Sequence, residues 1–354
     1  MEILLQSILL IVGFVMLIKG ADVFVDGASS TAKHFGMPKI LIGLTIVAFG
    51  TSAPEFAVSI KSLLSGTGDM MVGNVVGSNI MNIFLILGVA SLMRALPVKS
   101  STLKKELPIL ILLTVMFATL MCDKLFGFAE YNSLTRQDGF VLILAFCIFM
   151  YYLISSTRRR MRRRRINEKL VRAGKPEKYK IANDEEVEIK AMGVKKAILF
   201  ILLGLVGIIL GSNFVVDSAS TIARAFGVSD ALIALTIVAF GTSLPELVTS
   251  VVAARKGECD IAIGNIVGSN IFNIGMVAGV PILLLGGVSD MSSFSYVDVA
   301  VMLIAALLLL IFTNKNRRLG KIKGIIFLAI FAIYYGYTLI QALCWSSYFS
   351  SLVM

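Results

Sequence analysis

The chain has 354 residues, of which 57% are hydrophobic and only 16% are charged, and its formal net charge is +11 at pH 7. Soluble domains carry about a quarter charged residues, so this composition, with a mean hydropathy of +0.88, excludes an ordinary soluble protein and predicts a polytopic membrane protein. The densest positive runs are Arg158–Arg160 and Arg162–Arg165, which we interpret as a cytoplasmic anchor beside a span and not as a nucleic-acid site.

Ten apolar segments follow one another along the chain, and most are close to the roughly 20 residues that a helix needs to cross a bilayer. The first and the sixth can extend as long tilted helices, to about residues 35 and 226. We therefore predict an all-α polytopic membrane protein with ten transmembrane helices. The predicted spans lie near residues 3–20, 38–63, 70–93, 106–122, 138–156, 195–213, 230–254, 260–285, 296–313 and 322–344.

The positive charges predict how these spans are oriented, because cytoplasmic connections are enriched in Lys and Arg. If the basic connection after the fifth span is cytoplasmic, all but four of the 33 Lys and Arg residues lie on the cytoplasmic side. The exceptions are Lys61, Lys124, Arg136 and Arg224. We expect a multi-pass protein of the cell inner (cytoplasmic) membrane, with both termini outside and residues 157–194 inside.

The chain contains an internal repeat, in which residues 20–90 align without a gap to residues 211–281 at a constant offset of 191 positions. Because each half holds five predicted spans, an odd number, the second copy must enter the membrane in the opposite sense, as the inverted repeats of transporters do. A duplicated helical bundle without a transport role is the alternative. The predicted organisation is a first five-helix repeat at 1–156, a cytoplasmic basic linker at 157–194 and a second five-helix repeat at 195–354.

The first repeated word is GTSAPE, which returns 191 residues later as GTSLPE. Pro54 has no backbone N–H and its ring clashes with the carbonyl of Gly50, so a broken helix is expected there, near the membrane midplane. Pro245 should release the carbonyl of Gly241 in the same way. A freed carbonyl within a membrane needs a partner, and a cation can supply it.

The side chains of this word point to the same kind of ligand. Thr51, Ser52 and Glu55 are spaced so that they share one face of a helix. Hydroxyl, carbonyl and carboxylate oxygens are hard ligands, which Na+ and Ca2+ prefer. The word therefore predicts a site for a hard cation.

The second repeated word is GNVVGSNIMNI, which returns as GNIVGSNIFNI. Its glycine pairs are interpreted as positions of close helix packing. Asn79 and Asn270 are interpreted as residues that form hydrogen bonds between helices. The other polar residues recur every four positions and form one stripe on a helix; they are Asn74, Ser78 and Asn82 in the first copy and Asn265, Ser269 and Asn273 in the second.

Glu55 and Glu246 point most directly to a function. An ionised carboxylate at the bilayer centre is costly and usually has a partner, yet no Lys or Arg lies near either residue within the predicted spans. One dication or several monovalent ions would neutralise the pair, and crowding and charge disfavour both loads together. Mutually exclusive occupancy combined with alternating access is antiport. The structural alternative is a protonated glutamic acid that is hydrogen-bonded within the core.

At these residues the sequence resembles the sodium/calcium exchanger family of the calcium:cation antiporter superfamily, in its prokaryotic type without a large regulatory domain. The resemblance covers essentially the whole chain and rests on the pairing of GTSxPE with GNxxGSNIxNI in both halves. It implies exchange of Na+ for Ca2+ without a cofactor, and it implies one set of ion ligands, in which the alanines contribute their carbonyls. That set is Ala48, Thr51, Ser52, Glu55, Ser78, Asn82, Ala239, Thr242, Ser243, Glu246, Ser269 and Asn273.

The resemblance also bears on the coupling ion and on the partners. Potassium-dependent relatives carry Asp at the place of Asn273, so the asparagine found there predicts K+-independent exchange. Proton-coupled relatives have a different signature, resembling G-N-x-x-E, and an antiporter of H+ for Ca2+ or another divalent cation is the alternative function. The expected partners are Na+ and Ca2+ as substrates and the lipid bilayer, with no nucleic acid and no obligatory protein partner.

Two further function classes fit the sequence less well than an antiporter. A cation channel could line a pore with the same oxygens, but broken helices in inverted repeats favour a carrier. An enzyme is disfavoured because the sequence contains no Ser-His-Asp set, H-E-x-x-H motif or P-loop.

Overall fold

The computed structural model of the chain describes residues 2–127, 129–172, 192–228, 230–288, 291 and 295–353, and most of them are helical. Two short strands, β1 (Leu96–Pro97) and β2 (Arg318–Leu319), pair antiparallel. The helices of the first half are α1 (Glu2–Phe35), α2 (Lys39–Thr51), α3 (Ala53–Leu64), α4 (Gly68–Met93), α5 (Leu107–Leu120) and α6 (Arg136–Arg172). Those of the second half are α7 (Val194–Ala225), α8 (230–242), α9 (Leu244–Arg255), α10 (Cys259–Leu285), α11 (Tyr296–Asn314) and α12 (Lys321–Val353).

The helices are long and apolar enough for a multi-pass membrane protein. Over the described residues, seven of them can cross a membrane, or nine spans result if each bent pair, α2 with α3 and α8 with α9, counts as one. The remaining predicted span, near residues 106–122, corresponds to α5, whose 14 residues follow a π-helical turn at Thr102–Glu106. Helices thus lie at each predicted location, and the chain is an all-α membrane protein.

The two helices that carry the GNxxGSNIxNI words, α4 and α10, lie at the centre of the molecule. In their most apolar stretches 78% and 83% of the residues are buried inside the protein, whereas the share is 33% or less in α1, α6, α7, α11 and α12. The outer helices therefore present their apolar side chains to lipid, and the polar stripe of each repeated word is held in the interior, where polar groups in a membrane are tolerated.

Glycines bring the long outer helices α1 and α7 into backbone contact. A Cβ atom on Gly204 would lie 2.5 Å from the backbone nitrogen of Phe24, and a Cβ atom on Gly20 would lie 2.8 Å from that of Ile208. Only residues without a side chain allow helices to approach so closely. Because Gly20 is the repeat counterpart of Gly211, which packs on α1 in the same way, the contact joins equivalent helices of the two halves.

The fifth span continues as a helix beyond the predicted end of the first repeat. α6 runs from Arg136 to Arg172, so residues 157–172 of the predicted cytoplasmic linker extend the span without a break. Residues 173–191 of that linker lie outside the described residues. α7 begins the second half at Val194.

Candidate ion-binding site

The two GTSxPE words form the breaks between α2 and α3 and between α8 and α9, where the pairs bend by 45° and 56°. Ser52 leaves the helical conformation with φ −84° and ψ 8°, and Ser243 does so with φ −93° and ψ 5°. Pro54 then falls at the start of α3, where its missing N–H costs no hydrogen bond. The break also puts Glu55 in the first turn of α3, where the helix dipole stabilises a carboxylate.

The carbonyl that Pro245 releases has a protein partner. The oxygen of Gly241 accepts a hydrogen bond from Ser212 Oγ of α7 at 3.0 Å. A serine hydroxyl thus occupies one lone pair of this carbonyl, for which the sequence predicted a cation. The equivalent position on α1 is Ala21, which has no hydroxyl, so the contact cannot be repeated in the first half.

Each buried carboxylate accepts a hydrogen bond from the opposite repeat. Ser52 Oγ donates to Glu246 Oε1 at 2.8 Å, and Ser243 Oγ donates to Glu55 Oε1 at 3.3 Å. The sequence predicted that Thr51, Ser52 and Glu55 share one helical face; the helix breaks at Ser52, whose hydroxyl bonds the carboxylate of the other half. The two carboxylates are 1% and 0% exposed, so both halves build one shared site.

Serines of the central helices reach the same carboxylates and hydroxyls. Ser243 Oγ lies within hydrogen-bond distance of Ser78 Oγ of α4, at 3.4 Å, and Ser269 Oγ of α10 donates to Glu246 Oε1 at 3.5 Å. Four hydroxyls from four helices therefore surround two carboxylates, and all of these oxygens are hard ligands.

A further layer of hydrogen bonds supports the broken helices from α4 and α10. Asn74 Nδ2 donates to the backbone oxygen of Glu55 at 3.0 Å and to Ser59 Oγ at 3.1 Å. Asn265 donates to Ser250 Oγ at 3.0 Å and accepts from Thr51 Oγ1 at 3.1 Å. Two of the twelve predicted ligands, Thr51 and Glu55, are thus held by asparagines of the predicted stripe, and the side chains of Asn74 and Asn265 bond the broken helices.

Four asparagines join α4 to α10 in a hydrogen-bond network that has Asn79 and Asn270 at its centre. Asn79 Nδ2 donates to the backbone oxygen of Asn270 at 3.4 Å, and Asn270 Nδ2 donates to that of Asn79 at 3.2 Å. Asn82 Nδ2 donates to Asn270 Oδ1 at 2.8 Å, and Asn273 Nδ2 donates to Asn79 Oδ1 at 3.2 Å. As predicted, Asn79 and Asn270 connect the two helices. The network is symmetric, because each of its bonds has a repeat-equivalent bond in the other half.

Four buried oxygens of the site have no hydrogen-bond partner among the described residues. They are Glu55 Oε2, Glu246 Oε2, Asn82 Oδ1 and Asn273 Oδ1, which form two repeat-equivalent pairs. All four atoms are acceptors, and buried acceptors without a partner are rare in proteins. None of the Lys and Arg residues in the described part of the chain forms an ion pair with either glutamate. The chemistry of this set fits a hard cation.

The two halves differ in how their broken helices pack. Ala48 and Thr51 of α2 are buried, 1% and 0% exposed, whereas Ala239 of α8 is exposed and Thr242 is half-buried. Thr242 Oγ1 donates to the carbonyl of Ala239 at 3.3 Å, in a part of the helix that is open to its surroundings. These two predicted ligands therefore lie at the edge of the site and not inside it.

The glycine pairs of the second word show the cause of this difference. A Cβ atom on Gly264 of α10 would lie 2.6 Å from the carbonyl oxygen of Ile40, and one on Gly268 would lie 2.7 Å from the Cα atom of Leu44. Cβ atoms on Gly73 and Gly77 of α4 would meet no atom of the described residues within 4 Å. α2 is thus packed closely on α10, while α8 packs less closely on α4, and we call this more open side of the molecule the cleft side.

Ion pairs hold the closed end of the molecule, where α2 begins and α9 ends. Glu258, which is 4% exposed, pairs with Lys39 at 2.9 Å and accepts a hydrogen bond from Ser29 of α1 at 2.8 Å. Lys256 pairs with Asp26 of α1 at 2.7 Å. The repeat counterparts of Lys39 and Lys256 are Asp230 and Ser65, so the cleft side cannot form the same pairs.

Sequence reasoning missed the π-helical turns that flank the site. They span Gly43–Val47 and Asn82–Ile86 in the first half, and Ala234–Val238 and Asn273–Ala278 in the second. Such turns occur mostly at functional sites, and here they begin at Asn82 and Asn273 themselves. Hydrophobic periodicity does not detect a helical turn that is widened by one residue. The one signal of these π-helical turns in the sequence is that the segments recur in both halves.

Comparison with known proteins shows which family the chain matches. The sequence model described as "Sodium/calcium exchanger protein" matches residues 5–155 and 196–340 of the chain. A candidate antiporter of Alkalimonas amylolytica, CaxA, is 38% identical over 335 residues, which cover 94% of this chain and 98% of the relative. The sodium/calcium exchanger MaX1 of Methanosarcina acetivorans is 31% identical over 350 residues, with coverage of 94% and 98%.

A solved structure has the same fold. The sodium-calcium exchanger NCX_Mj, in a crystal soaked with zero Na+ and Ca2+, superposes with a TM-score of 0.77 at 29% sequence identity. The alignment covers 95% of this chain and 99% of that chain. The likeness therefore extends over both halves.

Proposed function

The chain belongs to the sodium/calcium exchanger family, and from this premise we propose that it is a secondary active antiporter that exchanges Na+ for Ca2+ across the cytoplasmic membrane by alternating access. The family and its solved member are transporters and not enzymes. The observation that carries the proposal is the set of four buried acceptor oxygens without partners, two from carboxylates and two from amides, drawn equally from both repeats.

The transport site is proposed to consist of the residues that the resemblance implied. Two carboxylates supply two negative charges, so one Ca2+ or more than one Na+ neutralises the site. Because both loads use the same oxygens, occupancy by one excludes the other. Amides at Asn82 and Asn273 leave the charge at two, which supports exchange that does not require K+. Exchange of H+ for Ca2+, or transport of another divalent cation, is the alternative.

Alternating access is supported by the unequal packing of the halves. In inverted repeats the two halves can exchange conformations, so that the site faces either side of the membrane in turn. Here α2 is closed on α10, and α8 packs less closely on α4. With ten spans in two inverted five-helix repeats and the basic linker in the cytoplasm, the cleft side beside α8 faces outward and the ion pairs around Glu258 face inward.

A flux measurement tests the proposed function. The full chain is reconstituted in liposomes loaded with Na+, which are diluted into Na+-free medium that contains radioactive Ca2+. Uptake that requires the outward Na+ gradient, with or without K+, supports Na+/Ca2+ exchange. Uptake that does not depend on Na+ but follows a pH gradient would indicate H+/Ca2+ exchange instead. Unitary current steps in a planar bilayer would indicate a channel instead.

The site assignment is tested with Glu55→Gln and Glu246→Gln. Each change removes one of the two buried charges that hold the cation. Breaking a buried charge pair costs about 3 kcal/mol or more, which corresponds to a roughly 100-fold loss of cation affinity. Both variants should lose exchange and remain folded. Glu106→Gln is the matched control, because Glu106 is also buried but bonds Tyr152 away from the site. Normal exchange by either site variant would refute the assignment.

A further inference from the structure

We propose that Asn79 and Asn270 are positioning residues that fix the amide orientation of Asn82 and Asn273, so that oxygen and not nitrogen faces the transported cations. This inference rests on the proposed function of the site and adds two residues to its machinery. Neither of them belongs to the set implied by the family resemblance.

The orientation is anchored on the backbone. The carbonyl oxygen of Asn270 can only accept a hydrogen bond, so the amide of Asn79, 3.4 Å away, must turn its NH2 group toward it. The side-chain oxygen of Asn79 then faces Asn273, which must present its own NH2 group at 3.2 Å. As a result Asn273 Oδ1 is left on the opposite edge of the amide, without a partner among the described residues.

The same series of hydrogen bonds occurs in the other half. Asn270 donates to the backbone oxygen of Asn79 at 3.2 Å, which turns the Oδ1 atom of Asn270 toward Asn82. Asn82 donates to that atom at 2.8 Å, and its own Oδ1 is left as the second amide oxygen without a partner. Two backbone carbonyls therefore determine which atom each ligand residue presents to the site.

Orientation matters here because the two edges of an amide have opposite electrostatic character and nearly equal size. A flipped asparagine would turn N–H donors toward a cation, which removes one ligand and adds repulsion. Asn82 and Asn273 are both 0% exposed, so water cannot compensate for a wrong orientation. The hydrogen bonds from Asn79 and Asn270 remove this ambiguity.

An aspartate at a ligand position needs no such control, since both edges of a carboxylate are oxygens. This difference gives a test that a merely structural role would not pass. Asn79→Leu should allow Asn273 to turn, and Asn273→Asp should restore an oxygen ligand in either orientation. The rescue should be specific to the partner, so Asn82→Asp should not relieve Asn79→Leu to the same extent.

The experiment is a double-mutant cycle read by equilibrium Ca2+ binding to the purified full chain in detergent. We expect Asn79→Leu to weaken binding about tenfold or more, and we expect the same change to cost no more than about threefold when Asn273→Asp is present. An unchanged affinity in Asn79→Leu overturns the inference. An equal loss with and without Asn273→Asp also overturns it, because that result assigns Asn79 a packing role only.

The repeat counterpart of Asn79 provides a second double-mutant cycle if Asn79→Leu does not fold. Asn270→Leu combined with Asn82→Asp is expected to show the same coupling. Elution as a single species in size-exclusion chromatography, and a thermal unfolding transition, establish that each variant is folded. If the unmodified protein and Glu106→Gln bind no Ca2+, the proposed function itself fails. If they bind it and the cycles show no coupling, only the positioning role of the asparagines fails.

Discussion

At the scale of single residues, the ligands of the site come from both halves, and each half donates a hydrogen bond to the carboxylate of the other. Glu246 accepts from Ser52, and Glu55 accepts from Ser243, while Glu246 also accepts from Ser269 of its own repeat. Each carboxylate therefore receives one donor from the break in the opposite broken helix. One repeat alone therefore lacks a complete set of ligands.

This arrangement predicts the effect of Ser52→Ala. The change removes a predicted ligand and the 2.8 Å hydrogen bond to Glu246. A hydrogen bond to a charged group contributes about 1.5–3 kcal/mol, so Ca2+ affinity should fall by roughly ten- to a hundredfold, as measured by equilibrium binding.

The matched control for Ser52→Ala is Ser59→Ala on the same broken span. Ser59 is also 0% exposed, but its hydroxyl contacts Asn74 and not a carboxylate. Its affinity should stay within about threefold of the unmodified protein. Equal losses in both variants would mean that Ser52 acts through packing and not as a ligand of the site.

At the scale of the helices, the sequence predicted the elements better than their contacts. Pro54 and Pro245 specify where the broken helices bend, because the chemistry of proline is local. The donor to Gly241 was not predictable, since Ser212 lies on another helix and its repeat counterpart, Ala21, has no hydroxyl. Contacts between distant segments depend on packing, which periodicity within one segment does not encode.

The site shows the same limit. Its residues could be selected from the repeated words, but the bonds of Ser52 to Glu246 and of Ser243 to Glu55 were not predicted, because spacing along one helix does not show which residue of the other half a side chain meets. The repeat itself was the missing signal, because a shared site between inverted halves favours bonds from one copy to the other. The unequal burial of Thr51 and Thr242 could not be read from two nearly identical words, since it reflects the conformation of the whole chain.

The contact of α1 with α7 leads to a prediction for Gly204→Ala. The added methyl group would lie 2.5 Å from the nitrogen of Phe24 and 2.7 Å from the oxygen of Gly20. Both are backbone atoms, so the helices must separate, at a cost of about 1–3 kcal/mol. The unfolding temperature in detergent should fall. Gly336→Ala on α12, where a Cβ atom meets nothing within 4 Å, should leave it unchanged or raise it slightly.

At the scale of the whole molecule, the halves are alike in sequence and unlike in conformation. The closed end carries the pairs of Lys39 with Glu258 and of Lys256 with Asp26, and the repeat counterparts of the two lysines are Asp230 and Ser65, so the cleft side lacks both cations. If the halves exchange conformations during transport, the two end states are therefore not equal in energy. The described state is favoured by ion pairs that its counterpart lacks.

The same asymmetry predicts that Gly73→Ala separates binding from transport. In the described state a methyl group on Gly73 meets nothing within 4 Å, so Ca2+ binding and the unfolding temperature should be preserved, with a slight gain from helix propensity. In the exchanged state Gly73 takes the environment that Gly264 has now, where a Cβ atom would lie 2.6 Å from a backbone oxygen. The clash should cost about 1–3 kcal/mol and slow exchange about tenfold or more.

Thiol labelling shows whether Gly73→Ala acts by confining the protein to one state. In a background without the native cysteines, we expect Val238→Cys to react with a membrane-impermeant reagent, since Val238 is 37% exposed and alternating access requires an aqueous path on its side, while its counterpart Val47 is buried at 0%. Gly73→Ala should keep Val238→Cys reactive and Val47→Cys protected under all ion gradients. Gly264→Ala should instead destabilise the described state and lower the unfolding temperature. Exchange by Gly73→Ala at the unmodified rate would show that α8 never closes on α4 as α2 closes on α10, and the symmetric form of alternating access would have to be abandoned.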